Sequence, residues 1–476
     1  MTPSVLDALG RIVGPRWVRH RRAELTTYAM DGLPTHESLP GAVVVPGSRR
    51  EVADVLRLLH VLGVPFVARG AGTGLSGGAL ADPDAVLIAL TRLNRVLRVD
   101  ATCRRAVVEP GVVNARLSEA VAPHGLHYVP DPSSQTACTV GGNVAENAGG
   151  PHCLKYGVTT NHIAQLDVVL PDGSETTLGS PHGEPWGPDL VGLFVGSEGM
   201  FGIAVEITVH LEPVPPAIRT MLAAFGSVRA ASEAVSAVIA AGIVPAALEM
   251  MDQACVRAVE ASIYAAGYPT DAAAVLLVEV DGRPAQVEAE SAAVERLLRA
   301  HGAGSVLSAS AAADRMRLWQ GRKKAFGAMG RIAPDLAVQD AVVPRSALPD
   351  IMDRIAEIRD RHGLSISNVF HAGDGNLHPN ISFDRRDADL AARVKQASKE
   401  IMAACVAAGG SITGEHGVGN DKMHYMPWIF DAESLGAMQA VRRVFDPAER
   451  SNPGKVLPAG SCREWRAAGS ACGGAL

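Results

Sequence analysis

The chain has 476 residues, of which 47% are hydrophobic and 20% charged, with a formal net charge of −6. This length and composition predict two or three domains with sizeable cores, and the acidic balance disfavours nucleic-acid binding. The sequence contains neither a signal-peptide core at its start nor an apolar run of transmembrane length. A cytoplasmic protein is therefore expected, with peripheral docking at the inner face of the membrane left open.

The seven cysteines are scattered and include no C-x-x-C pair. This spacing predicts reduced thiols, with neither a disulfide framework nor an iron–sulfur cluster in this chain. Any electrons released by redox chemistry would therefore leave to an acceptor outside the chain.

The first elements in chain order are a helix and two strands. Apolar residues at helical spacing predict a helix over Glu51–Leu62 that ends at Gly63. A strand is predicted at Val64–Ala68 and another at Ala85–Leu90. A glycine-rich segment, 69–78, connects the two strands.

This glycine-rich segment has a literal G-x-G-x-x-G at Gly72, Gly74 and Gly77. A dinucleotide-binding fingerprint must open a helix, but this chain continues into a turn and a strand. We interpret the segment as a loop whose backbone N–H groups surround phosphate oxygens, with a plain turn as the alternative.

Two more glycine clusters follow, at 141–150 (after Pro130–Ser134) and at 196–202. Each lies near an apolar segment, Ala164–Leu170 or Ile203–Val209. Three such loops in one region indicate backbone packed closely along an extended anionic ligand.

The prolines of 213–216 mark a domain boundary, because repeated prolines cannot continue a strand ladder. Beyond it, helices are predicted at Val228–Ala240 and Gln286–Ala300 and a strand at Ala274–Val280. This alternation predicts a separate α/β module.

Two histidines, His371 and His378, flank the turn signal Gly373–Asn376 between two apolar runs. A hairpin at that turn would put both imidazoles on one side. Glu415 lies between flexible glycines, and its carboxylate completes a His2Glu set, which is typical of an open zinc site; Mn or Fe would also suit it. A plain loop in which the histidines satisfy each other is the alternative.

The neighbouring His416 remains as a general base whose ordinary pKa, about 6.5, suits neutral pH. It could instead orient Glu415 as a positioning group. A zinc hydrolase would use the same residue types, but would not need the three glycine loops.

These motifs carry a family resemblance. Segments 46–52, 69–78, 108–111, 131–134, 141–143, 155–159 and 196–202 resemble the FAD domain of vanillyl-alcohol-oxidase-type flavoproteins. The histidine motif, 414–417 and Asn452–Lys455 narrow the resemblance to FAD-linked D-2-hydroxyacid dehydrogenases, over residues 28 to 458. Within this group, segments 320–330 and 338–345 resemble the FAD-binding subunit of bacterial glycolate oxidase.

The resemblance implies an α+β fold: a two-subdomain, vanillyl-alcohol-oxidase-type (PCMH-type) FAD-binding domain, an α/β substrate (cap) domain, and a C-terminal segment returning to the flavin. The expected division is an N-terminal arm (1–37), the FAD-binding domain (38–214), the substrate domain with the metal site (215–445) and the C-terminal segment (446–476).

The resemblance also implies noncovalent FAD. The predicted FAD contacts are Arg69, Gly70, Ala71, Gly72, Thr73, Gly74, Leu75, Ser76, Pro130, Asp131, Ser134, Gly141, Gly142, Asn143, Ala148, Gly149, Tyr156, Gly157, Thr159, Glu198, Gly199, Gly202, Ile203 and Asn452.

The implied reaction is oxidation of a 2-hydroxy acid to the 2-oxo acid. A metal on His371, His378 and Glu415 would polarise the hydroxyl, and His416 would contact the substrate and take its proton while hydride passes to flavin N5. By resemblance, Arg322 pairs with the substrate carboxylate and Asn380 also contacts the substrate.

The chain departs from family members that oxidise a five-carbon dicarboxylic acid. Those members carry a threonine and a lysine where this chain has Phe326 and Val338. A small monocarboxylic substrate, glycolate or D-lactate, is therefore expected, with a D-2-hydroxyglutarate-type activity as the alternative.

Glycolate-oxidising members act beside a second flavin-type subunit and an iron–sulfur subunit. The resemblance therefore implies these partners, and a flavin subunit that is active only within such a complex is a further alternative. A homodimer is also left open.

Overall fold

The computed structural model describes residues 1–180 and 187–458, which form two compact units. The first unit contains Met1–Gly149, Val158–Val214 and the chain from Glu415 onward, and the second contains Gly150–Gly157 and Pro215–Gly414. One break between the units follows Val214. The return to the first unit begins at Glu415, within the segment assigned from sequence to the substrate domain.

The α-helices among the described residues, in chain order, are α1 (Pro3–Val13), α2 (Arg22–Leu25), α3 (Arg49–Leu62), α4 (Asn114–Val121), α5 (Val140–Glu146), α6 (Cys153–Tyr156), α7 (Leu190–Phe194), α8 (Val228–Ala240), α9 (Gln253–Glu260), α10 (Pro284–Ala300), α11 (Ala312–Lys323), α12 (Ala325–Met329), α13 (Leu348–His362), α14 (Ala388–Ala407) and α15 (Ala432–Phe445).

The strands in the same ranges are β1 (Val18–Arg19), β2 (Ala42–Val44), β3 (Phe66–Arg69), β4 (Val86–Ala89), β5 (Val96–Asp100), β6 (Arg105–Val108), β7 (Leu126–His127), β8 (Ile163–Val169), β9 (Glu175–Gly179), β10 (Ile203–His210), β11 (Glu212–Pro213), β12 (Ala217–Phe225), β13 (Ala247–Asp252), β14 (Ala274–Gly282), β15 (Ala303–Ala309), β16 (Asp335–Val338), β17 (Ala341–Val342), β18 (Ser365–Phe370), β19 (Asn376–Leu377) and β20 (Pro379–Phe383).

The first unit contains two main sheets, in the orders β1-β2-β4-β3 and β5-β6-β10-β8-β9. In the first sheet β4 pairs in parallel with both β2 and β3, whereas the second sheet is antiparallel throughout. The C-terminal segment adds to the first sheet at Phe66, the first residue of β3. The Phe66 amide donates to the carbonyl of Arg450, and the Phe66 carbonyl accepts from the amide of Asn452. Residues 450–452 therefore pair with the start of the β3 edge.

Helix α3 shows how local sequence builds the core of this unit. The Ser48 hydroxyl accepts the amide of Glu51 and caps the first turn, and Gly63 ends the helix with φ +69°. The side chains of Val52, Val55, Leu56 and Leu59 are fully buried, at the spacing of one helical face. They pack with residues of β3, β4, β8 and β10. The predicted helix is confirmed.

The second unit is built on one sheet of order β15-β12-β14-β13-β18-β20-β16. Every named pair in this sheet is antiparallel. Helices and strands alternate along the chain, as predicted, although an α/β pattern is more often associated with parallel strands. Helices α8 and α10 match the predicted segments to within two residues at their starts.

The predicted hairpin is present in this sheet. Strands β18 and β20 pair antiparallel with Ile366 opposite Ile381, and the connection between them includes the short strand β19. Gly375, with φ +77°, has its α-carbon against the carbonyl oxygen of Val343, 2.2 Å from where a Cβ would lie. The turn is therefore restricted to glycine at this position.

Among the described helices, none combines the length and the apolar character that a bilayer span requires.

Candidate functional site

The first glycine loop connects β3 to β4 without a helix between them, so the rejection of a dinucleotide fingerprint is confirmed. Gly72 and Gly77 adopt φ of +70° and +72°, which glycine favours. The Arg69 guanidinium donates to the carbonyl of Met30 at 2.7 Å and to that of Ala79, directly after the loop, at 3.4 Å. The side chain of Arg69 therefore holds protein backbone, and FAD contact at this position stays a prediction.

Glycines in the first and third loops border open space. The nearest described heavy atom to a Cβ built on Gly74 is Glu146 Oε1 at 3.9 Å, and for Gly199 it is Asn452 Nδ2 at the same distance. A ligand could therefore approach the backbone closely at these two positions. The second glycine cluster was predicted as a loop, but its first residues form helix α5, where a Cβ on Gly142 would lie 3.3 Å from the capping residue Thr139.

Buried polar atoms in the same loops lack protein partners. The hydroxyls of Ser76 and Ser197 and the Oδ1 of Asn452 form no hydrogen bond with any described residue. A buried polar atom without a partner is costly unless a ligand or water satisfies it. Open glycines and unsatisfied hydroxyls together fit an extended ligand with phosphate and carbonyl oxygens, as FAD would be.

Some residues predicted to contact FAD also have protein partners, and their contacts with FAD stay predictions. The Thr159 hydroxyl donates to the carbonyl of Ala148 at 2.8 Å, and Asn452 Nδ2 donates to the carbonyls of Gly78 and Glu198. The Tyr156 hydroxyl donates to Asp281 Oδ2 at 2.5 Å, and Tyr156 and Gly157 both belong to the second unit.

The segment after His416 is bound directly to the glycine loops of the first unit. The amides of Val418 and Gly419 donate to the two carboxylate oxygens of Glu198, at 2.7 and 2.8 Å. The amides of Asn420 and Asp421 both donate to the carbonyl of Ser76. The backbone next to His416 is thus fixed by the first and third glycine loops.

The half-buried Glu146 and the buried Glu198 form a pair of carboxylates beside this segment. A Cβ on Gly417 would lie 2.4 Å from Glu146 Oε2 and 2.7 Å from Glu198 Oε1. Burial raises the pKa of Glu198 to about 7, although two backbone amides oppose the shift. Burial and the charge of Glu198 raise the pKa of Glu146 well above its ordinary value. The pair therefore retains a proton near neutral pH.

The second unit brings His371 and His378 together. The hairpin places their rings 5.3 Å apart between centroids, at an interplanar angle of 87°. His371 Nδ1 lies 2.8 Å from Glu249 Oε1, and His378 Nδ1 lies 3.2 Å from the carbonyl of Gln339. Both partners are acceptors, so each Nδ1 carries the proton and each lone pair is on Nε2. Metal-binding histidines commonly have this arrangement.

Arg322, the predicted carboxylate-binding residue, is paired with the same glutamate. Its Nε donates to Glu249 Oε2 at 2.7 Å, and both side chains are almost completely buried. Burial alone would raise the pKa of Glu249, but Arg322 and His371 together lower it below the usual range. The negative charge of Glu249 and the positive charge of Arg322 therefore cancel inside the second unit.

The residues around His378 form a second polar group. Asp340 is fully buried and accepts from the Thr413 hydroxyl at 2.6 Å and from the Gly414 amide at 3.0 Å. Asn380 donates through Nδ2 to the carbonyl of His378. Its Oδ1 is buried and accepts from no residue in the described ranges. Asn380 therefore offers a ligand an acceptor within the second unit.

Glu415 and His416 lie at the start of the third segment of the first unit, directly after Gly414. His416 Nε2 is 3.8 Å from Glu415 Oε1, and both side chains are largely buried. Their roles as metal ligand and general base stay predictions.

Sequence reasoning missed Glu146, Ser197 and Glu249. Glu249 gave a signal, because it is a single carboxylate in the apolar run 246–251. Glu146 and Ser197 lie within or beside predicted glycine loops, but nothing in the local sequence shows where their side chains point.

With this geometry established, comparisons define the class of protein. The family model described as FAD linked oxidases, C-terminal domain, matches residues 214–456, and the one described as FAD binding domain matches residues 40–179. The chain belongs to the family of FAD-linked oxidases.

Particular relatives extend over most of the chain. It is 47% identical to the glycolate oxidase subunit GlcD of Escherichia coli strain K12, across 96% of this chain and 91% of the relative. Identity to the GlcD subunit of Bacillus subtilis strain 168 is 38%, across 96% and 97%. The mitochondrial D-lactate dehydrogenase [cytochrome] of Arabidopsis thaliana is 29% identical, across 89% of this chain and 75% of the relative.

Solved structures show the same fold at low identity. p-Cresol methylhydroxylase with substrate bound gives a TM-score of 0.80 at 16% identity, with 95% of this chain and 96% of the other covered. 4-Ethylphenol oxidase from Gulosibacter chungangensis gives 0.78 at 19%, covering 96% and 97%. The predicted fold class, with a PCMH-type FAD-binding domain followed by a C-terminal domain, is confirmed.

The glycine loops generate a first prediction. Gly74→Val should lose FAD while the apoprotein keeps its thermal stability, because the new side chain meets only ligand space. Gly70→Val is the matched comparison: a Cβ there lies 2.3 Å from Thr139 Oγ1, so the fold itself should be destabilised. Flavin absorbance and melting temperature distinguish the two effects. Full flavin content in Gly74→Val would contradict the prediction that the first glycine loop binds FAD.

The carboxylate pair generates a second prediction. The folded chain keeps a proton on this pair between pH 4.5, the ordinary pKa of glutamate, and about 7, where the unfolded chain has lost it. Stability linked to the pair is therefore present at low pH and lost as pH rises. Glu146→Gln should lessen the fall in melting temperature between about pH 5 and about pH 8. The control is Glu119→Gln, an exposed change on α4, which should leave the fall in melting temperature unchanged. If the melting temperatures of the wild type and both variants fall equally with pH, the two carboxylates do not share a proton.

Proposed function

We propose that this protein oxidises a small 2-hydroxy acid, glycolate or D-lactate, to the 2-oxo acid with FAD as cofactor. The observation that carries the proposal is the buried group of Glu249, Arg322, His371 and His378 in the second unit. It supplies a cation for a carboxylate and two imidazole nitrogens for a metal. The names of the E. coli and A. thaliana relatives agree with such substrates.

Arg322 would hold the substrate carboxylate. Nη2 lies 2.6 Å from Glu249 Oε2, yet it forms no hydrogen bond of normal geometry with any residue in the described part of the chain. A planar guanidinium has a second edge that pairs with a carboxylate through two hydrogen bonds. The Nη2 hydrogens that are not directed at Glu249 would serve such a ligand.

His371 and His378, with Glu415, would hold a divalent metal. Support comes from the Nδ1 hydrogen bonds, which direct both Nε2 lone pairs to a ligand position. Imidazole and carboxylate ligands suit zinc, with manganese and iron as alternatives. When bound, the metal would supply Lewis acidity and FAD would supply the hydride acceptor.

His416 would take the hydroxyl proton as general base. Its backbone neighbours are hydrogen-bonded to Glu198 and Ser76, so its position is tied to the loops of the FAD-binding unit. A base beside the cofactor suits a reaction in which a proton and a hydride leave the same carbon–oxygen group.

Substrate size would be limited beside Asn380. Val338 on β16 is the direct cross-strand partner of Asn380 on β20, so the two side chains share one face of the sheet. An aliphatic side chain there offers no partner to a second carboxylate. Burying an unpaired carboxylate costs several kcal/mol, and about 1.4 kcal/mol already gives tenfold discrimination.

The E. coli relative is named as a subunit of an oxidase. We therefore also propose that this chain passes electrons to partner subunits, a second flavin-type subunit and an iron–sulfur subunit. Anaerobic flavin reduction by substrate measures the oxidation step without any such acceptor.

Substrate preference tests the proposal. Glycolate and D-lactate should reduce the flavin with kcat/KM at least about tenfold above that for D-2-hydroxyglutarate or D-malate. Val338→Lys should shift the preference toward D-2-hydroxyglutarate, because an ammonium group would then face its second carboxylate, whereas Val338→Leu should not. A wild-type preference for D-2-hydroxyglutarate would show that another cation binds that group.

Metal removal provides a separate test. His378→Ala should lose bound divalent metal and slow flavin reduction by about 10²-fold or more, the loss expected when a metal ligand is removed. FAD content should be unchanged, since the glycine loops lie in the first unit. His362→Ala is the control, because His362 pairs with Glu400 at the end of α13. Full turnover in metal-free wild-type protein would refute the metal assignment.

A further inference from the structure

Glu249 is a carboxylate in an otherwise apolar strand. It lies on β13 with Ala247, Leu248, Met250 and Met251, and all five residues are essentially inaccessible to solvent. Burying an ionised carboxylate is unfavourable unless it is paired and hydrogen-bonded. Two strong partners must therefore account for its position.

The two oxygens of Glu249 have different partners. Oε1 accepts from His371 Nδ1 at 2.8 Å, and Oε2 accepts from Arg322 Nε at 2.7 Å. The partners come from separate elements, since Arg322 is on α11 and His371 follows β18. One rigid strand residue thus connects a residue proposed to bind metal with one proposed to bind the substrate carboxylate.

Each contact has a distinct consequence. The contact to His371 fixes the proton on Nδ1 and leaves the lone pair on Nε2, the atom that a metal would bind. The contact to Arg322 occupies the Nε side of the guanidinium and orients its other edge. It also neutralises a cation that is 1% exposed.

We propose that Glu249 is a positioning residue that orients His371 for metal binding and Arg322 for the substrate carboxylate at the same time. The proposal rests on the proposed function and adds a residue that neither touches substrate nor binds metal. It predicts that metal affinity and substrate affinity depend on one side chain.

Glu249→Gln is the informative change, because an amide cannot serve both partners. With its oxygen toward His371, the amide NH2 group faces the Arg322 donors. With its oxygen toward Arg322, the NH2 group faces Nδ1, which must then lose its proton, so that Nε2 becomes protonated and cannot bind metal. Either orientation breaks one of the two functions.

The test uses purified FAD-loaded protein and two readouts. Zinc and manganese affinities are measured without substrate, by competition with a chromophoric chelator, and KM and kcat are measured for glycolate. Glu249→Gln should weaken metal binding by about 10- to 100-fold, as loss of a ligand's hydrogen-bond partner does, or raise KM by a similar factor. FAD content should match the wild type.

Glu279→Gln is the matched control. Glu279 is a buried glutamate on the adjacent β14 that accepts hydrogen bonds from Thr220 and Trp319. Its replacement therefore shows how far the loss of any buried carboxylate in this sheet changes metal affinity and KM. If Glu249→Gln does not fold, Glu249→Asp keeps the charge but is one methylene too short to reach both partners, and the same losses are expected.

Two results would overturn the proposal: unchanged metal affinity and KM in the Glu249 variants, or equal losses in Glu279→Gln. The proposed function is judged separately on the wild type. If no 2-hydroxy acid reduces the wild-type flavin, the proposed function is wrong. If the wild type is active but binds no metal, Glu249 does not orient His371 for a metal, and its effect on Arg322 is then tested by KM alone.

Discussion

The first unit depends on the close approach of the backbone at Gly419 to the backbone of Ser76, and of the backbone at Gly417 to two carboxylates. A Cβ on Gly419 would lie 2.2 Å from the carbonyl oxygen of Ser76, and one on Gly417 would contact two carboxylates. No side chain fits in this space, so backbone amides can reach Ser76 and Glu198 directly. The position of the preceding residue, His416, therefore depends on backbone contacts at these glycines. The same contacts connect the C-terminal part of the chain to the glycine loops.

The parts predicted from sequence are those determined by local chemistry. The Ser48 cap and Gly63 end define α3, the first and third glycine clusters form loops between regular elements, and the turn before His378 folds β18 onto β20. Each of these depends on backbone conformations that residues within a few positions decide. The pairing of the two histidines followed from the hairpin for the same reason. The second cluster was predicted as a loop, but its residues up to Glu146 are helical.

The parts that sequence could not predict depend on long-range contacts. Glu249 is 73 positions from Arg322 and 122 from His371, and Glu198 is 220 positions from Val418. A family resemblance predicts that Glu198 contacts the cofactor, but the amides of Val418 and Gly419 that its carboxylate accepts could not be predicted from sequence. The return of the chain to the first unit at Glu415 has no proline-marked boundary comparable to that at 213–216.

The pairing of residues 450–452 with the start of β3 has a consequence for synthesis of the chain. Strand β3 leads into the first glycine loop, yet Phe66, at the start of its outer edge, is paired only when a segment almost four hundred residues later is available, as its contacts with Arg450 and Asn452 require. During synthesis, all residues of the second unit are therefore added to the chain before the last segment of the first unit. Until then the bare edge of β3 can pair with other strands, so chaperone binding or aggregation of nascent chains should concentrate there.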